Sequence, residues 1–268
     1  MKLYFSLFVY LLASVAYSQS KMVVKDKYYL IAHRGGIVDS THAENSLSAL
    51  NAAIQKGYSM VEVDLRLTKD SVLIVHHDRT FKRYYGVDKA PLSMTWDEIR
   101  KLRSSVGGSS VLKFEEVLKN CKKGGIQVMI DNKIDGVDTV LFAKIINLLK
   151  SYDLLKGALM IGTEESVPFF TGKIKLNANR KEIEENKTKP GYSPDDYYLF
   201  VRPKYLTSDD IGWANEEGIQ VVGIINGFLY SRSPKPNDDI RSDTEMMIRN
   251  GITWFQLDSE FDAPFIQD

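Results

Sequence analysis

The sequence is short of cysteine, of net charge and of long hydrophobic runs. Its single cysteine, Cys121, excludes an internal disulfide. The 35 Lys and Arg residues balance the 35 Asp and Glu residues, so no overall field would draw the chain to nucleic acid or to an anionic membrane. The longest apolar run, Leu3 to Ala16, is shorter than the roughly 20 residues of a bilayer-spanning helix. We therefore expect a globular protein without a nucleic-acid partner and without a stable membrane anchor.

The first residues of the chain are typical of a secretory signal peptide. Lys2 is their only charged residue, and the apolar run that follows it ends at Ala16-Tyr17-Ser18. Small residues at the first and third of these positions are what a signal peptidase reads. We expect cleavage after Ser18 and export to the periplasm or the medium, leaving residues 19–268 as one domain. A retained membrane anchor is the alternative.

The remainder of the chain alternates short apolar runs with amphipathic segments that end at glycine. This order predicts strands and helices in alternation, which is typical of a parallel sheet. Eight strands with about seven helices in roughly 250 residues fit a closed (β/α)8 TIM barrel. An open doubly wound sheet is the alternative, but no glycine-rich dinucleotide loop follows the first strand, Tyr28 to Ile31.

One connection in this pattern is too short to contain a helix. Only Arg66 to Ser71 separates the second predicted strand, Met60 to Leu65, from the third, Val72 to Val75. Either the crossover lacks its helix or Lys69-Asp70-Ser71 turns a hairpin, and the sequence leaves both open. Residues 79–112 follow as a loop-rich insertion that contains one short helix, from Thr95 to about Leu102.

Acidic side chains are placed where predicted strands end. Glu62 and Asp64 are two residues apart on the second strand and therefore share one face, and Asp131 lies on the fourth strand. The carboxyl ends of barrel strands meet at one rim, where the active sites of such barrels lie. Three carboxylates converging there require a cation, and oxygen ligands suit Ca²⁺ or Mg²⁺.

Histidines and cations end the same set of strands. His33 and Arg34 follow the first strand, His77 follows the third, and Lys133 follows Asp131 by two residues. Two histidines can serve as general base and general acid, and Arg34 and Lys133 can hold an anionic group. Together with a metal, this is a set of groups suited to cleaving a phosphate ester.

These motifs, taken in order, resemble those of the glycerophosphodiester phosphodiesterase family, within the PI-PLC-like phosphodiesterase superfamily. The resemblance covers nearly all of the mature chain, and its matching pieces are His33-Arg34-Gly35, Glu44-Asn45-Ser46, Glu62-Val63-Asp64, Leu67-Thr68-Lys69-Asp70 and Val75-His76-His77-Asp78. It implies a TIM barrel with a small insertion after the third strand. It also implies metal-dependent hydrolysis of a small-molecule phosphodiester to glycerol 3-phosphate and an alcohol.

The resemblance also implies roles for individual residues. His33 and His77 match the catalytic pair, and Glu62, Asp64 and Asp131 match the ligands of a divalent metal. Arg34 and Lys133 are assigned to the substrate phosphate by their charge. Three further residues are assigned supporting roles, namely Glu44, Asn45 and Asp78. Glu44 could instead be only the glutamate of a helix-capping box with Thr41. His76, one residue before His77, is expected to face the other way.

The sequence also departs from the family pattern. Asp131 stands where the family usually has glutamate, and Gly223-Ile224-Ile225-Asn226 lacks the tryptophan that usually precedes the asparagine. Two alternatives therefore stay open beside the main hypothesis. One is a phospholipase D- or C-like enzyme acting on lipid headgroups, and the other is a phosphodiester-binding protein without catalysis. The alcohol group, the metal and the oligomeric state are not determined by the sequence.

Overall fold

The computed structural model describes residues 23–24 and 27–267 of the chain. The signal peptide predicted for residues 1–18 lies outside these residues. The strands are β1 (Val23–Val24), β2 (Tyr29–Ala32), β3 (Met60–Leu67), β4 (Leu73–Val75), β5 (Leu112–Lys113), β6 (Gln127–Asn132), β7 (Leu159–Ile161), β8 (Lys175–Ala178), β9 (Tyr197–Leu199), β10 (Gln220–Ile225), β11 (Trp254–Leu257) and β12 (Ile266–Gln267).

The helices mostly lie between successive strands. They are α1 (Leu47–Lys56), α2 (Lys82–Tyr85), α3 (Trp96–Ile99), α4 (Phe114–Gly124), α5 (Thr139–Ser151), α6 (Val167–Phe170), α7 (Arg180–Lys187), α8 (Ser208–Glu216) and α9 (Pro236–Arg249). Local signals fix their ends. The side chain of Ser46 accepts the Ala49 N–H at the start of α1, and a left-handed Gly57 ends the helix.

Eight parallel strands close into a barrel in the order β2-β3-β6-β7-β8-β9-β10-β11. The closing pairs lie on either side of β2, where Ala32 is opposite Leu257 of β11 and opposite Val61 of β3. This closure confirms the predicted (β/α)8 TIM barrel and excludes the open doubly wound sheet. All eight carboxyl ends consequently face the same rim.

The inside of the barrel is apolar below this rim. One cluster of buried side chains fills it, consisting of Ile31, Met60, Met129, Leu159, Tyr198 and Val222. Because side chains alternate along a strand, residues two and four positions after Met60 stay on the inner face, nearer the rim. The opposite faces of the strands pack against the helices in a much larger core. The strand pattern thus places Glu62 and Asp64 directly above an apolar floor.

The third predicted strand is not a barrel strand. β4 runs antiparallel to β3, with Leu65 opposite Val75, so the short connection is a hairpin. Its turn contains a left-handed Ser71, and the Thr68 hydroxyl accepts the Val72 N–H. The predicted insertion does follow this third strand, and β4 belongs with it, because β4 pairs with β3 outside the closed barrel. The five connecting residues, 68–72, suffice for a hairpin but not for a crossover helix.

The insertion has a small apolar core of its own, separate from that of the barrel. Its buried members are Ile74, Phe81, Met94, Ile99 and Val111. The predicted short helix is present as α3, which begins after Thr95 with a capping box to Glu98. The insertion is thus an ordered unit at the rim of the barrel, able to hold side chains in fixed positions over the site.

Two smaller predictions have different outcomes. The strand predicted from Lys173 to Leu176 begins two residues later, as β8, because the Lys173 N–H still bonds the carbonyl of Phe170 in the turn after α6. Cys121 is buried on α4 as predicted, and burial raises the pKa of its thiol to about 12. Within the described part of the chain, no helix combines the length and apolarity needed to cross a membrane.

Candidate active site

The predicted acidic cluster forms at the rim, where β3 and β6 lie side by side. Asp64 is opposite Asp131 in the strand register, and Glu62 lies one inward-facing position deeper. One carboxylate oxygen from each of these three residues lies within 4.8 Å of the other two. Glu62 and Asp64 are each only 1 % exposed. The structure therefore brings together the three residues for which metal binding was predicted.

The acidic cluster of Glu62, Asp64 and Asp131 carries more negative charge than the neighbouring cationic side chains balance. Burial, together with the neighbouring Asp64 and Asp131, raises the pKa of Glu62 well above its usual range. Burial also raises the pKa of Asp131, although Lys133 opposes the shift. Like charges at this spacing disfavour one another unless a cation lies among them.

Lys133 supplies one positive charge to this cluster. Its ammonium donates to Asp131 and lies 3.6 Å from Asp64. Burial alone would lower the pKa of Lys133, but the attraction of Asp131 and Asp64 outweighs it and raises the pKa. Three carboxylates and one ammonium leave two negative charges, so the cluster fits a divalent cation. Its all-oxygen donor set is the kind that Ca²⁺ and Mg²⁺ prefer.

His33 is fixed by a carboxylate from the last barrel strand. Its Nδ1 donates to Oδ1 of Asp258 at 2.6 Å, and Oδ2 of Asp258 accepts the Gly227 N–H at 2.8 Å. Burial opposes ionisation of Asp258, but these hydrogen bonds prevail and lower its pKa. The other ring nitrogen, Nε2, lies 4.0 Å from Glu62 and thus faces the acidic cluster.

The turn after β2 holds His33 and Arg34 against helix α1. Arg34 has a φ of 54°, and its backbone N–H donates to Glu62 at 2.8 Å. Gly36, with a φ of 146°, passes so close to the helix that a Cβ would lie 2.1 Å from the Ala49 carbonyl oxygen. Only glycine fits such a position, so the two glycines of the motif are explained by the tight turn.

His77 and His76 face opposite sides, as the alternation predicted. His76 is buried, packs 4.5 Å from the ring of Phe81 and directs Nε2 to the Thr80 carbonyl. Burial lowers its pKa. His77 instead lines an open cleft at the rim, and the Arg66 guanidinium donates to the carbonyls of both histidines at 2.9 and 2.7 Å.

An ion-pair network connects His77 with Arg34. The His77 Nδ1 lies 2.9 Å from Asp78, whose two oxygens accept from Arg83 at 2.6 and 2.8 Å. Arg83 also donates to the buried Glu44 at 2.6 Å, and Glu44 accepts from Arg34 at 3.0 Å. These contacts involve both oxygens of Glu44, so the neighbouring group of Glu44, His77 and Asp78 is already neutralised by arginines.

The supporting residues are therefore near the site, and one of them contacts the acidic cluster. Asn45 donates through Nδ2 to Asp64 at 3.0 Å, and its backbone N–H donates to the Arg34 carbonyl at 2.7 Å. Glu44 makes no capping contact with Thr41 among those described. Two residues close to the histidines were missed from the sequence, Arg83 and Phe228. The ring of Phe228 lies 6.3 Å from that of His33.

The cleft at the rim has a volume of about 700 Å³ and is bounded by the barrel on one side and the insertion on the other. His77 and Lys133 line its polar end, and Pro91, Leu92 and Ile134 line its apolar wall. Fold and site together define a TIM-barrel protein with paired histidines beside an acidic cluster, all at the catalytic rim of such barrels.

Part of the chain is similar to proteins of one known family. Residues 33–144 match the model of the glycerophosphoryl diester phosphodiesterase family. A glycerophosphodiester phosphodiesterase of Caldanaerobacter subterraneus is 37 % identical over 81 residues, which are 30 % of this chain and 32 % of the relative. Glycerophosphodiester phosphodiesterase 1 of Mus musculus is 28 % identical over 117 residues, 41 % of this chain. The chain spans about a third (35 %) of the length of that relative.

Solved structures of phosphodiesterases share the fold over most of the chain. A glycerophosphoryl diester phosphodiesterase of Parabacteroides distasonis aligns with a TM-score of 0.69 and 19 % identity, covering 92 % of this chain and 94 % of that one. A phosphodiesterase of Oleispira antarctica aligns with a TM-score of 0.68 and 18 % identity, covering 86 % and 92 %. The match over residues 33–144 confirms the resemblance to the glycerophosphodiester phosphodiesterase family that the motifs predicted, and the solved structures confirm the barrel fold.

Proposed function

We propose that the protein hydrolyses glycerophosphodiesters to glycerol 3-phosphate and an alcohol, with a divalent metal and two histidines. The observation that carries the proposal is the matched setting of His33 and His77. Each has Nδ1 bound to a carboxylate, from Asp258 and Asp78, beside the acidic cluster. The Oleispira antarctica neighbour is described in complex with the product sn-glycerol-3-phosphate, which supports the same reaction here.

The two histidines would divide the proton transfers between them. A carboxylate on Nδ1 fixes the tautomer with the proton on that nitrogen and leaves Nε2 to react. One Nε2 takes the proton of the attacking hydroxyl, while the other, protonated, gives a proton to the departing alkoxide. The phosphorus–oxygen bond to the alcohol breaks as the bond to the nucleophile forms, which leaves the first histidine protonated and the second neutral. Loss of one proton to solvent and uptake of one from solvent restore the starting state.

Cations and the acidic cluster would hold the phosphate between the histidines. A divalent metal held by Glu62, Asp64 and Asp131 would neutralise charge on the phosphate when bound. Lys133 lies beside that cluster and lines the cleft. Arg34 donates to Glu44 through Nη1, while its buried Nε has no partner among the described residues. We propose Arg34 and Lys133 as phosphate ligands on this basis.

Turnover of defined substrates tests the proposal against its alternatives. The purified protein would be incubated with glycerophosphocholine, glycerophosphoglycerol and lysophosphatidylcholine, each with and without chelator. We expect glycerol 3-phosphate from the first two, lost with chelator and restored by Ca²⁺ or Mg²⁺. Release of choline from the lysolipid alone would favour a phospholipase D-like enzyme. Binding without turnover in every case would favour a non-catalytic protein.

We also propose that the protein is exported after cleavage near Ser18. The proposal is supported only by the pattern of residues 1–18, in which a short apolar run precedes Ala16 and Ser18. Expression of the full chain and determination of its N-terminus tests it. A mature protein that begins at Gln19 is expected, and an intact N-terminus in the membrane fraction would identify a retained anchor instead.

A further inference from the structure

The arginines of this chain differ in whether they have a partner. All eleven lie within the described residues. Eight form a hydrogen bond or ion pair, namely Arg34, Arg66, Arg83, Arg100, Arg103, Arg180, Arg241 and Arg249. The side chains of Arg79, Arg202 and Arg232 form none among the residues that the structure describes. These three are all at the catalytic rim of the barrel, where each lines a cleft.

Two of the three share a second cleft, distinct from the one at His77. It has a volume of about 670 Å³ and lies between the loops that follow β9 and β10. We call it the β9–β10 cleft. It is lined by Arg202, Lys204, Arg232 and Phe228 among others. Phe228, 54 % exposed, is the link to the catalytic centre, because its ring lies 6.3 Å from that of His33.

The two loops that form the β9–β10 cleft are basic. Residues 200–207 and 226–235 include two arginines and two lysines and contain no acidic residue. The acids that reach the cleft come from α9, and both are bonded to hydroxyl groups. Asp239 accepts from Ser233, and Asp243 accepts from Tyr230 at 2.9 Å. Neither acid forms an ion pair with Arg202 or Arg232 among the described residues, so both guanidinium groups keep their donors for a ligand, and three cations face two acids in the lining.

The first cleft gives a weaker argument for the same kind of ligand. Only one of the three arginines, Arg79, lines it, and the acids Asp78 and Asp135 line it as well. The cleft also includes Lys133, which is already engaged with Asp131. The inference is therefore drawn from the β9–β10 cleft alone.

We propose that the β9–β10 cleft binds a second anionic group on the alcohol arm of the substrate. The proposal rests on the proposed function, because it places the scissile phosphate between His33 and His77 and one arm past Phe228. Guanidinium groups match the geometry of a phosphate and bind it through paired donors. The preferred substrates are then glycerophosphodiesters whose alcohol carries a further phosphate, not those with a neutral or cationic alcohol.

Two substrates that differ only in this feature provide the test. Glycerophosphoglycerol has a neutral alcohol arm, and bis(glycerophospho)glycerol extends the same arm with a second phosphate. We expect kcat/KM for bis(glycerophospho)glycerol, corrected for its two equivalent bonds, to exceed kcat/KM for glycerophosphoglycerol by roughly three- to tenfold at low salt. Because the cations are exposed, the ratio should fall as salt is raised.

Variants assign the preference to the cleft. The double variant Arg202→Gln/Arg232→Gln should bring the ratio of the two kcat/KM values close to one. Arg249→Gln is the matched control, since Arg249 is an exposed arginine at the far end of α9, and it should keep the wild-type ratio. A wild-type ratio of one, or a double variant that keeps the wild-type preference, overturns the proposal.

Two further measurements separate the subsite from its alternatives. Calorimetric titration of His77→Ala with both esters measures the same preference as a ratio of affinities, without turnover. If the wild-type protein hydrolysed neither ester, the proposed function would be refuted, and the binding ratio would still test the cleft. Sedimentation with phosphatidylglycerol vesicles tests a membrane as the source of the phosphate. Vesicle binding that depends on Arg202 and Arg232, with no preference between the soluble esters, overturns the subsite.

Discussion

His33 and Asp258 are joined by a 2.6 Å hydrogen bond across the pair of strands that closes the barrel. They are the residues immediately after Ala32 and Leu257, which are opposite each other in the register of β2 and β11. The last barrel strand, β11, thus orients a side chain that follows the first barrel strand, β2. Because Gly227 holds the other oxygen of Asp258 at 2.8 Å, the carboxylate cannot turn away from the histidine.

Replacement of Asp258 by asparagine should reduce turnover more than substrate binding. The amide can accept from Nδ1 but stabilises the histidine cation poorly, so we expect kcat to fall about 10²-fold, within the range for loss of one acid–base group. KM should change little, because Asp258 is not placed to contact the phosphate. Steady-state kinetics on glycerophosphoglycerol measures both quantities, and a change confined to KM would show that Asp258 contributes to binding instead.

The same pair predicts how stability depends on pH. The pKa of Asp258 is lowered in the folded protein, so its contribution is present above the usual pKa of an aspartate and is lost as pH falls through the lowered folded value. The difference in Tm between the wild-type protein and Asp258→Asn should therefore be full near neutral pH and shrink below about pH 4. A difference that grows under acid conditions would contradict the assignment.

The positions that the sequence predicted well are those set by strand alternation. Glu62, Asp64 and Asp131 could be placed together for two reasons. Side chains two residues apart share one face of a strand, and parallel strands end at the same rim. The pairing of His33 with Asp258 was not derivable in this way. It depends on β11 lying next to β2, which follows only from closure of the barrel. The two residues are 225 positions apart in the sequence.

The insertion shows what local patterns leave open. The connection from β3 to β4 was compatible with a hairpin or with a crossover, and only the antiparallel pairing decides. Arg83 was overlooked for a related reason. It lies on a helix of four residues, too short for periodicity to identify a face, and its partners Asp78 and Glu44 come from two other segments.

Arg83 should affect catalysis indirectly, because its partners Asp78 and Glu44 hold His77 and Arg34. Replacing it by methionine removes the fork that holds Asp78 and leaves the buried Glu44 with only Arg34 as a partner. We expect kcat to fall roughly tenfold or more and the protein to lose stability, because a buried charge that loses its partner is costly. Arg83→Lys should restore part of the stability but little of kcat, since an ammonium cannot bridge both acids with the same geometry.

The neighbouring Lys82 provides the control for this experiment. Its side chain is 71 % exposed, and among the described residues it pairs only with Asp88, which is itself exposed. Lys82→Met should change neither kcat nor Tm measurably, as is usual for exposed ion pairs. Equal kinetic losses in Lys82→Met and Arg83→Met would mean that the helix, and not the ion-pair network, is responsible.

The two adjacent histidines should separate chemistry from stability. His77→Ala is expected to lower kcat by about 10²–10⁴-fold with a small effect on Tm. His76→Ala should instead lower Tm, because it removes a buried ring from the insertion core beside Phe81, while kcat is largely retained. Kinetics and thermal unfolding of both variants measure the contrast. The reverse pattern would show that the register of β4 is off by one residue.

The acidic cluster should bind a divalent cation directly, with or without substrate. Calorimetric titration of the chelator-treated protein with Ca²⁺ and Mg²⁺ should show one site, and Glu62→Gln should weaken it strongly because Glu62 is buried among the other ligands. Asp131→Ala should also weaken binding, whereas Asp131→Glu should retain it, since both side chains offer a carboxylate at the same strand position. Unchanged affinity in Asp131→Ala would remove Asp131 from the ligand set. Its role would then be to hold the ammonium of Lys133 at the cleft.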